Sequence, residues 1–135
     1  MKASERFIDT NLLLYLLSAD TRKADIAEQE LEQGGTVSVQ VLNEFSSVAL
    51  RKFKMPLAEV REVLAGLRAA CSVVPLTEAV HDKGLELVER NGLSVYDAMI
   101  VAAALLAGCK TLLSEDMQHD QLFQRTLRVR NPFQQ

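Results

Sequence analysis

The sequence predicts an α/β fold: a mainly parallel sheet of about five strands, covered by helices on both faces in three layers. Two observations carry that expectation. Short apolar runs alternate with longer segments of helical spacing along the whole 135-residue chain. No hairpin signal such as Asn-Gly separates the apolar runs, so helical crossovers must join the strands. The length suits one domain over residues 1–135, and a 48% hydrophobic content can fill its core without disulfides or metal staples.

The elements follow in order. "RFI" at Arg6–Ile8 is a first strand, ended by Asp9. A helix follows from about Asn11, with Asp9 or Thr10 able to cap it. "TRKADIAEQELEQGG" is a second helix, stopped by Gly34 and Gly35. "TVSV" is a strand. "QVLNEFSSVALRKF" is a helix with Val41, Leu42, Phe45, Val48, Ala49 and Phe53 on one face. Pro56 opens a further helix whose Leu57, Val60, Leu64 and Leu67 keep helical spacing. "CSVVPL" is the third strand. Thr77 caps a helix that runs to Asn91 and stops at Gly92. Ser94 caps an Ala-rich helix that is apolar nearly all round, hence buried, and Gly108 ends it. "KTLLS" is the fourth strand. After the polar turn "EDMQHDQ", "LRVRNPF" supplies a short fifth strand and an extended tail.

Composition narrows the function. Aromatic residues make up 5% and Trp is absent, so the stacking platforms of OB-type or RRM-type nucleic-acid binders are scarce. The net charge of −3 argues against duplex binding by charge alone, while leaving room for a basic strip beside an acidic, cation-filled site. Cys71 and Cys109 have no ligand spacing and read as reduced core thiols. The opening "MKASERFID" lacks the apolar stretch of a signal peptide. The longest apolar run, Ala98–Ala107, is shorter than the ~20 residues a bilayer span needs. A cytoplasmic protein with no membrane segment is expected.

Ligands of open parallel sheets bind beyond the carboxyl ends of the strands. Four acids fall at that edge: Asp9 after the first strand, Glu44 early in the third helix, Asp97 in the first turn of the Ala-rich helix, and Asp116 after the fourth strand. Each has a plainer reading. Asp9 can cap a helix, Asp97 completes a capping-box variant in "SVYD", Asp116 can be a turn acid, and Glu44 can be solvated although it borders the buried stripe. One site accounts for all four together. Converging carboxylates repel unless some are protonated or a cation sits among them, and hard oxygen donors favour Mg²⁺ or Mn²⁺. Such sites carry out phosphoryl chemistry. The remaining acids of the helices, Glu30 among them, read as solvated faces.

Other chemistries are poorly supplied. His81 lies mid-helix, and His119 lies in the turn after Asp116, where it could touch a phosphate or simply the solvent. No GxSxG, HExxH, Walker A or GxGxxG motif is present.

"FIDTN", "NEF", "LSVYDAMIVAAALLAGCKTLLSEDMQH" and "LRVRNPF" together resemble the PIN-domain ribonucleases, and more narrowly the VapC-type toxins of bacterial toxin–antitoxin pairs. The resemblance runs from Phe7 to Phe133 and keeps the acids in order. It implies a PIN-like fold whose quartet Asp9, Glu44, Asp97 and Asp116 binds Mg²⁺ or Mn²⁺ and supports RNA cleavage. It also implies that Asn11 and Ser114 support the site by hydrogen bonds. Members commonly form homodimers and are silenced by a small VapB-like antitoxin. One departure is Asp120, where relatives often carry Gly after "DMQH"; it either adds an outer acid to the site or alters the turn, and the turn is the favoured reading.

The expected reaction is hydrolysis by metal-activated water. The acids cannot attract RNA, so the basic clusters Arg51, Lys52, Lys54 and Arg125, Arg128, Arg130 are candidates, with a solvated charged face as the alternative for both. Three rival functions remain. A haloacid-dehalogenase-like phosphatase would want an Asp where this chain has Asn11, and a receiver domain would want an acceptor Asp that "CSVVPLTE" lacks. A non-catalytic PIN scaffold would have no reason to keep mutually repelling acids.

Overall fold

The computed structural model describes residues 2–134. The strands are β1 (Arg6–Ile8), β2 (Gly35–Ser38), β3 (Cys71–Val74), β4 (Thr111–Leu113), β5 (Leu122–Phe123) and β6 (Leu127–Arg130). The helices are α1 (Thr10–Leu14), α2 (Thr21–Glu32), α3 (Val39–Arg51), α4 (Leu57–Ala70), α5 (Glu78–Asn91) and α6 (Val95–Leu106). A 3₁₀ turn at Tyr15–Leu17 extends α1. The strands form one sheet in the order β3-β2-β1-β4-β6-β5, parallel throughout except that β5 runs antiparallel to β6. The expected α/β architecture is therefore present.

The capping residues act as their chemistry dictates. The side chains of Ser38, Thr77 and Ser94 accept the backbone N–H three residues on, and so open α3, α5 and α6. Gly92 closes α5 in the left-handed region, at φ 65°. Gly84 brings α5 against α6, because a Cβ there would meet the Met99 sulfur at 2.5 Å. Helix α6 buries Ala98 through Ala104 without a break, as its composition predicted.

Three details depart from the sequence reading. The sheet has six strands, because a hairpin joins β5 to β6. Its turn places Gln124 and Arg125 at φ 48° and 64°, with Thr126 N–H donating to Phe123 O at 3.1 Å. Such turns usually announce themselves by Asn or Gly at those positions. Helix α3 stops at Arg51, so Phe53 lies beyond it and is 38% exposed rather than part of the buried stripe. Glu30 is buried instead of solvated.

Register explains Glu30. Parallel pairing sets Arg6 opposite Thr111 and Thr111 opposite Arg128, and sets Ile8, Leu113 and Arg130 across from one another. Side chains alternate along a strand, so Arg6 and Arg130 project from the same face. Glu30 of α2 packs on that face and receives both guanidinium groups, from Arg6 at 3.2 Å and from Arg130 at 2.6 Å. Arg6 also donates to the carbonyls of Glu30 and Gly34. Burial lowers the Arg6 pKa, and the neighbouring Glu30 carboxylate opposes that change. On the opposite face Cys109, just past α6, forms a side-chain hydrogen bond with Thr36. Cys71 and Cys109 are free and buried. Among the described residues no helix is long and apolar enough to cross a membrane.

Candidate active site

The site is built where β1 and β4 release the chain at the carboxyl edge of the sheet. Asp9 continues the ladder by donating its N–H to Leu113 O at 3.0 Å, then turns to cap α1. Its Oδ1 accepts from Thr10 N at 2.7 Å. Its Oδ2 accepts from Ser114 Oγ at 2.8 Å and from Asn11 Nδ2 at 3.2 Å. Capping and site-building are thus simultaneous roles of one carboxylate, each using its own oxygen. Asn11 faces two ways: Nδ2 also reaches Ser114 Oγ at 3.3 Å, and Oδ1 accepts Glu115 N–H at 3.1 Å. It pins the segment after β4 to the segment after β1.

Glu44, one turn into α3, accepts Thr10 Oγ1 at 2.8 Å. The sequence offered Thr10 only as an alternative cap for α1. The missing signal was its partner, 34 residues away. Asp97 lies in the first turn of α6, where its N–H donates to Ser94 Oγ at 3.3 Å.

These positions shape the electrostatics. Asp9 is only 5% exposed. Its pKa is pushed up to about 7, chiefly by burial and further by the negative charges of Asp97 and Glu44, against the opposing hydrogen bonds of Ser114 and Thr10. The carboxylates of Asp9, Glu44 and Asp97 therefore share one field. Asp116 stands further out: it is exposed and lines an open cleft with Asn11, Glu115 and Lys52.

Among the described residues, no three His, Cys, Asp or Glu side chains gather closely enough to hold a metal ion. A closed cage is not what Mg²⁺ requires. It keeps several waters and is usually bound through one or two carboxylates. The donors at this edge are hard oxygens, and a cation would offset both the burial and the neighbouring negative charges that raise Asp9. The residues present fit such an ion.

The basic candidates separate. Lys52 lines the cleft that also holds Asn11 and Asp116. Arg51 and Lys54 are exposed near the end of α3, Lys54 at φ 54°. Arg125 occupies the hairpin turn, Arg128 donates to Asp120 O at 3.0 Å, and Arg130 is engaged by Glu30. Asp120 adopts φ 68°, a conformation that favours Gly, so a turn residue is its evident role. His119 accepts Asn131 N–H through Nδ1 at 3.0 Å. A group the sequence did not indicate sits beside Asn11: Glu115 receives both the Tyr15 hydroxyl and Lys23 Nζ, the latter at 2.6 Å. Burial alone would raise the Glu115 pKa, but these two donors outweigh it and lower it.

No curated protein matches the chain. Solved structures do. A toxin–antitoxin complex from Klebsiella pneumoniae has TM-score 0.72 and 20% identity, over 95% of this chain and 98% of that one. The Mycobacterium tuberculosis toxin VapC20, described as cleaving the sarcin–ricin loop, has TM-score 0.66 and 19% identity, over 82% and 91%. FitAcB from Neisseria gonorrhoeae has TM-score 0.64 and 17% identity, over 96% and 99%. At these identities the likeness is one of fold. The sequence model of the PIN domain matches residues 6–123, nearly all of the chain from β1 to β5, and the protein belongs to the PIN domain family.

Proposed function

We propose that this PIN domain is a Mg²⁺- or Mn²⁺-dependent endoribonuclease, the VapC-type toxin of a bacterial toxin–antitoxin pair. The observation that carries the reading is Asp9. It is a buried carboxylate held by three neutral donors, and the charges acting on it are other acids. A structural acid would be given a cation of the protein's own. An acid left in the field of further acids suits a cation supplied from solution.

Asp9 would hold the ion with at most one other acid as direct ligand, and the rest of Asp97, Asp116 and Glu44 would reach it through bound waters. When bound, the ion activates water and offsets charge on the phosphate oxygens. The chain's own residues position the rest. Ser114 and Asn11 fix the rotamer of Asp9, and Thr10 holds Glu44 at the edge of α3. Water would attack phosphorus in line as the bond to the 3′ oxygen breaks, the proton it gives up passing through solvent to that oxygen, and the products would carry a 5′-phosphate and a 3′-hydroxyl. No side-chain nucleophile takes part. Lys52 is the best placed of the basic groups to meet the RNA backbone. Two of the similar structures are described as a toxin–antitoxin complex and a VapC toxin, which supports a small VapB-like antitoxin as partner; a homodimer as the working unit and a cytoplasmic site of action complete the proposal.

RNA cleavage in Mg²⁺ should fall at least ~100-fold in Asp9→Asn and in Asp97→Asn. Undiminished cleavage in either folded variant, or by the parent in excess chelator, overturns the reading. A non-catalytic scaffold would show no turnover at all.

A further inference from the structure

Helix α3 runs past the candidate acids, and two clefts open along it. One, of about 310 Å³, includes Asn11, Val48, Lys52 and Asp116 in its walls. The other, of about 350 Å³, is walled by Gln40, Asn43, Glu44, Ser47, Leu76 and Tyr96. Their residues succeed one another along α3 from Gln40 to Val48, with Lys52 just past its end, so the two clefts together follow ~18 Å of chain along the helix. Both clefts carry candidate acids or their supports: Glu44 belongs to the second, and Asp116 and Asn11, the latter bonded to Asp9, belong to the first.

The second cleft has a distinct chemistry. Tyr96 is 69% exposed, more than any other exposed large hydrophobic side chain among the described residues. The only other tyrosine, Tyr15, is half-buried and bonded to Glu115. The peptide group that joins Tyr96 to Asp97 is held through both of its polar atoms. Buried Gln40 donates Nε2 to the Tyr96 carbonyl at 3.1 Å, and the next residue, Asp97, is bonded through its N–H to Ser94. The ring therefore stands on a fixed mount immediately before a candidate catalytic acid. Asn43 and Ser47, both exposed, bring an amide and a hydroxyl to the same cleft. No Lys or Arg is among its walls, and Glu44 is. That combination repels a phosphate but suits a nucleobase, which needs a flat apolar surface and hydrogen-bonding groups at its edge. The cationic group, Lys52, stands in the other cleft, where a phosphate would pass.

We propose that the Tyr96 cleft is a base-binding subsite for single-stranded RNA. One nucleobase flanking the scissile bond stacks on the Tyr96 ring with Asn43 and Ser47 at its edge, and the backbone leaves past Lys52. This rests on the nuclease reading above. It makes the protein select unpaired RNA, because a base already stacked in a duplex cannot present its face to the ring.

The test uses the full protein with short single-stranded RNAs carrying 2-aminopurine at successive positions. Parent, Tyr96→Ala and Tyr96→Phe are compared with Mg²⁺ present. Parent protein should quench emission at one position beside the cut. Tyr96→Ala should lose that quenching and raise KM about tenfold with kcat nearly unchanged, the order expected for one lost base–aromatic stack. Tyr96→Phe should retain both. The melting-temperature rise produced by Mg²⁺ should persist in Tyr96→Ala, which separates the ring from the acids. Unaltered KM and quenching in Tyr96→Ala, while the parent cleaves, overturn the subsite and leave the nuclease reading standing. A parent dimer that becomes a folded monomer on Tyr96→Ala also overturns it, by assigning the ring to a contact with a second copy. Parent protein that neither cleaves nor binds any single-stranded RNA overturns both.

Discussion

Two buried acids of this protein, Asp9 and Glu30, are equally hidden from water, at 5% and 6% exposure, yet they are treated in opposite ways. Glu30 receives two guanidinium groups, from Arg6 and Arg130. Asp9 receives a hydroxyl, a carboxamide and a backbone N–H, and the charges that act on it are those of Asp97 and Glu44. Burial of a charge is costly unless it is paired. Glu30 is the compensated case and ties α2 to the sheet. Asp9 is the uncompensated case, a local liability that only a proton or a cation relieves. What marks a candidate site is thus a buried acid that lacks a basic partner.

That contrast can be broken most sharply by pH. The folded-state pKa of Asp9 is about 7, above the ordinary value of 3.8. Between those values the unfolded chain has lost a proton that the folded chain retains, so stability falls as pH rises through the window and levels above it. Denaturant unfolding without divalent ions should show ~4 kcal/mol more loss between pH 4 and pH 8 in the parent than in Asp9→Asn. Millimolar Mg²⁺ at pH 8 should restore stability to the parent and do little for the variant. A pH profile shared by both proteins would place Asp9 in an ordinary environment.

Glu30→Ala should have the next largest effect. It strands two arginines, one of them fully buried, and should cost ~3 kcal/mol of stability. RNA cleavage per folded molecule should remain near the parent value, because Glu30 touches none of the candidate site. Loss of cleavage without loss of stability would reverse the roles assigned to the two acids.

Thr10→Val should have the smallest effect on folding, ~1 kcal/mol, and a selective effect on the reaction. It removes the donor that orients Glu44, so kcat should fall ~10-fold. Equal kinetics in parent and variant would show that Glu44 needs no such support.

How much of this was readable in advance depended on the distance between partners. Ser94, Thr77 and Gly92 act on backbone groups within a few residues, so their capping roles follow from local sequence. The hairpin was missed because Gln124 and Arg125 take positive φ without the residue types that favour it, and because β5 has only two residues. Phe53 fell outside the core because helical spacing continues past Arg51 in the sequence while the helix does not.

By itself the sequence determined the alternation of strands and helices, the burial of the Ala-rich helix and the placement of Asp9, Glu44, Asp97 and Asp116 near one edge. Those features depend on periodicity and on local capping, which act over a few residues. Only the tertiary structure decided which acids have basic partners. Glu30 meets Arg130 across 100 positions and Thr10 meets Glu44 across 34. Strand register brings such groups together, and no local pattern encodes a register set by the packing of the whole sheet.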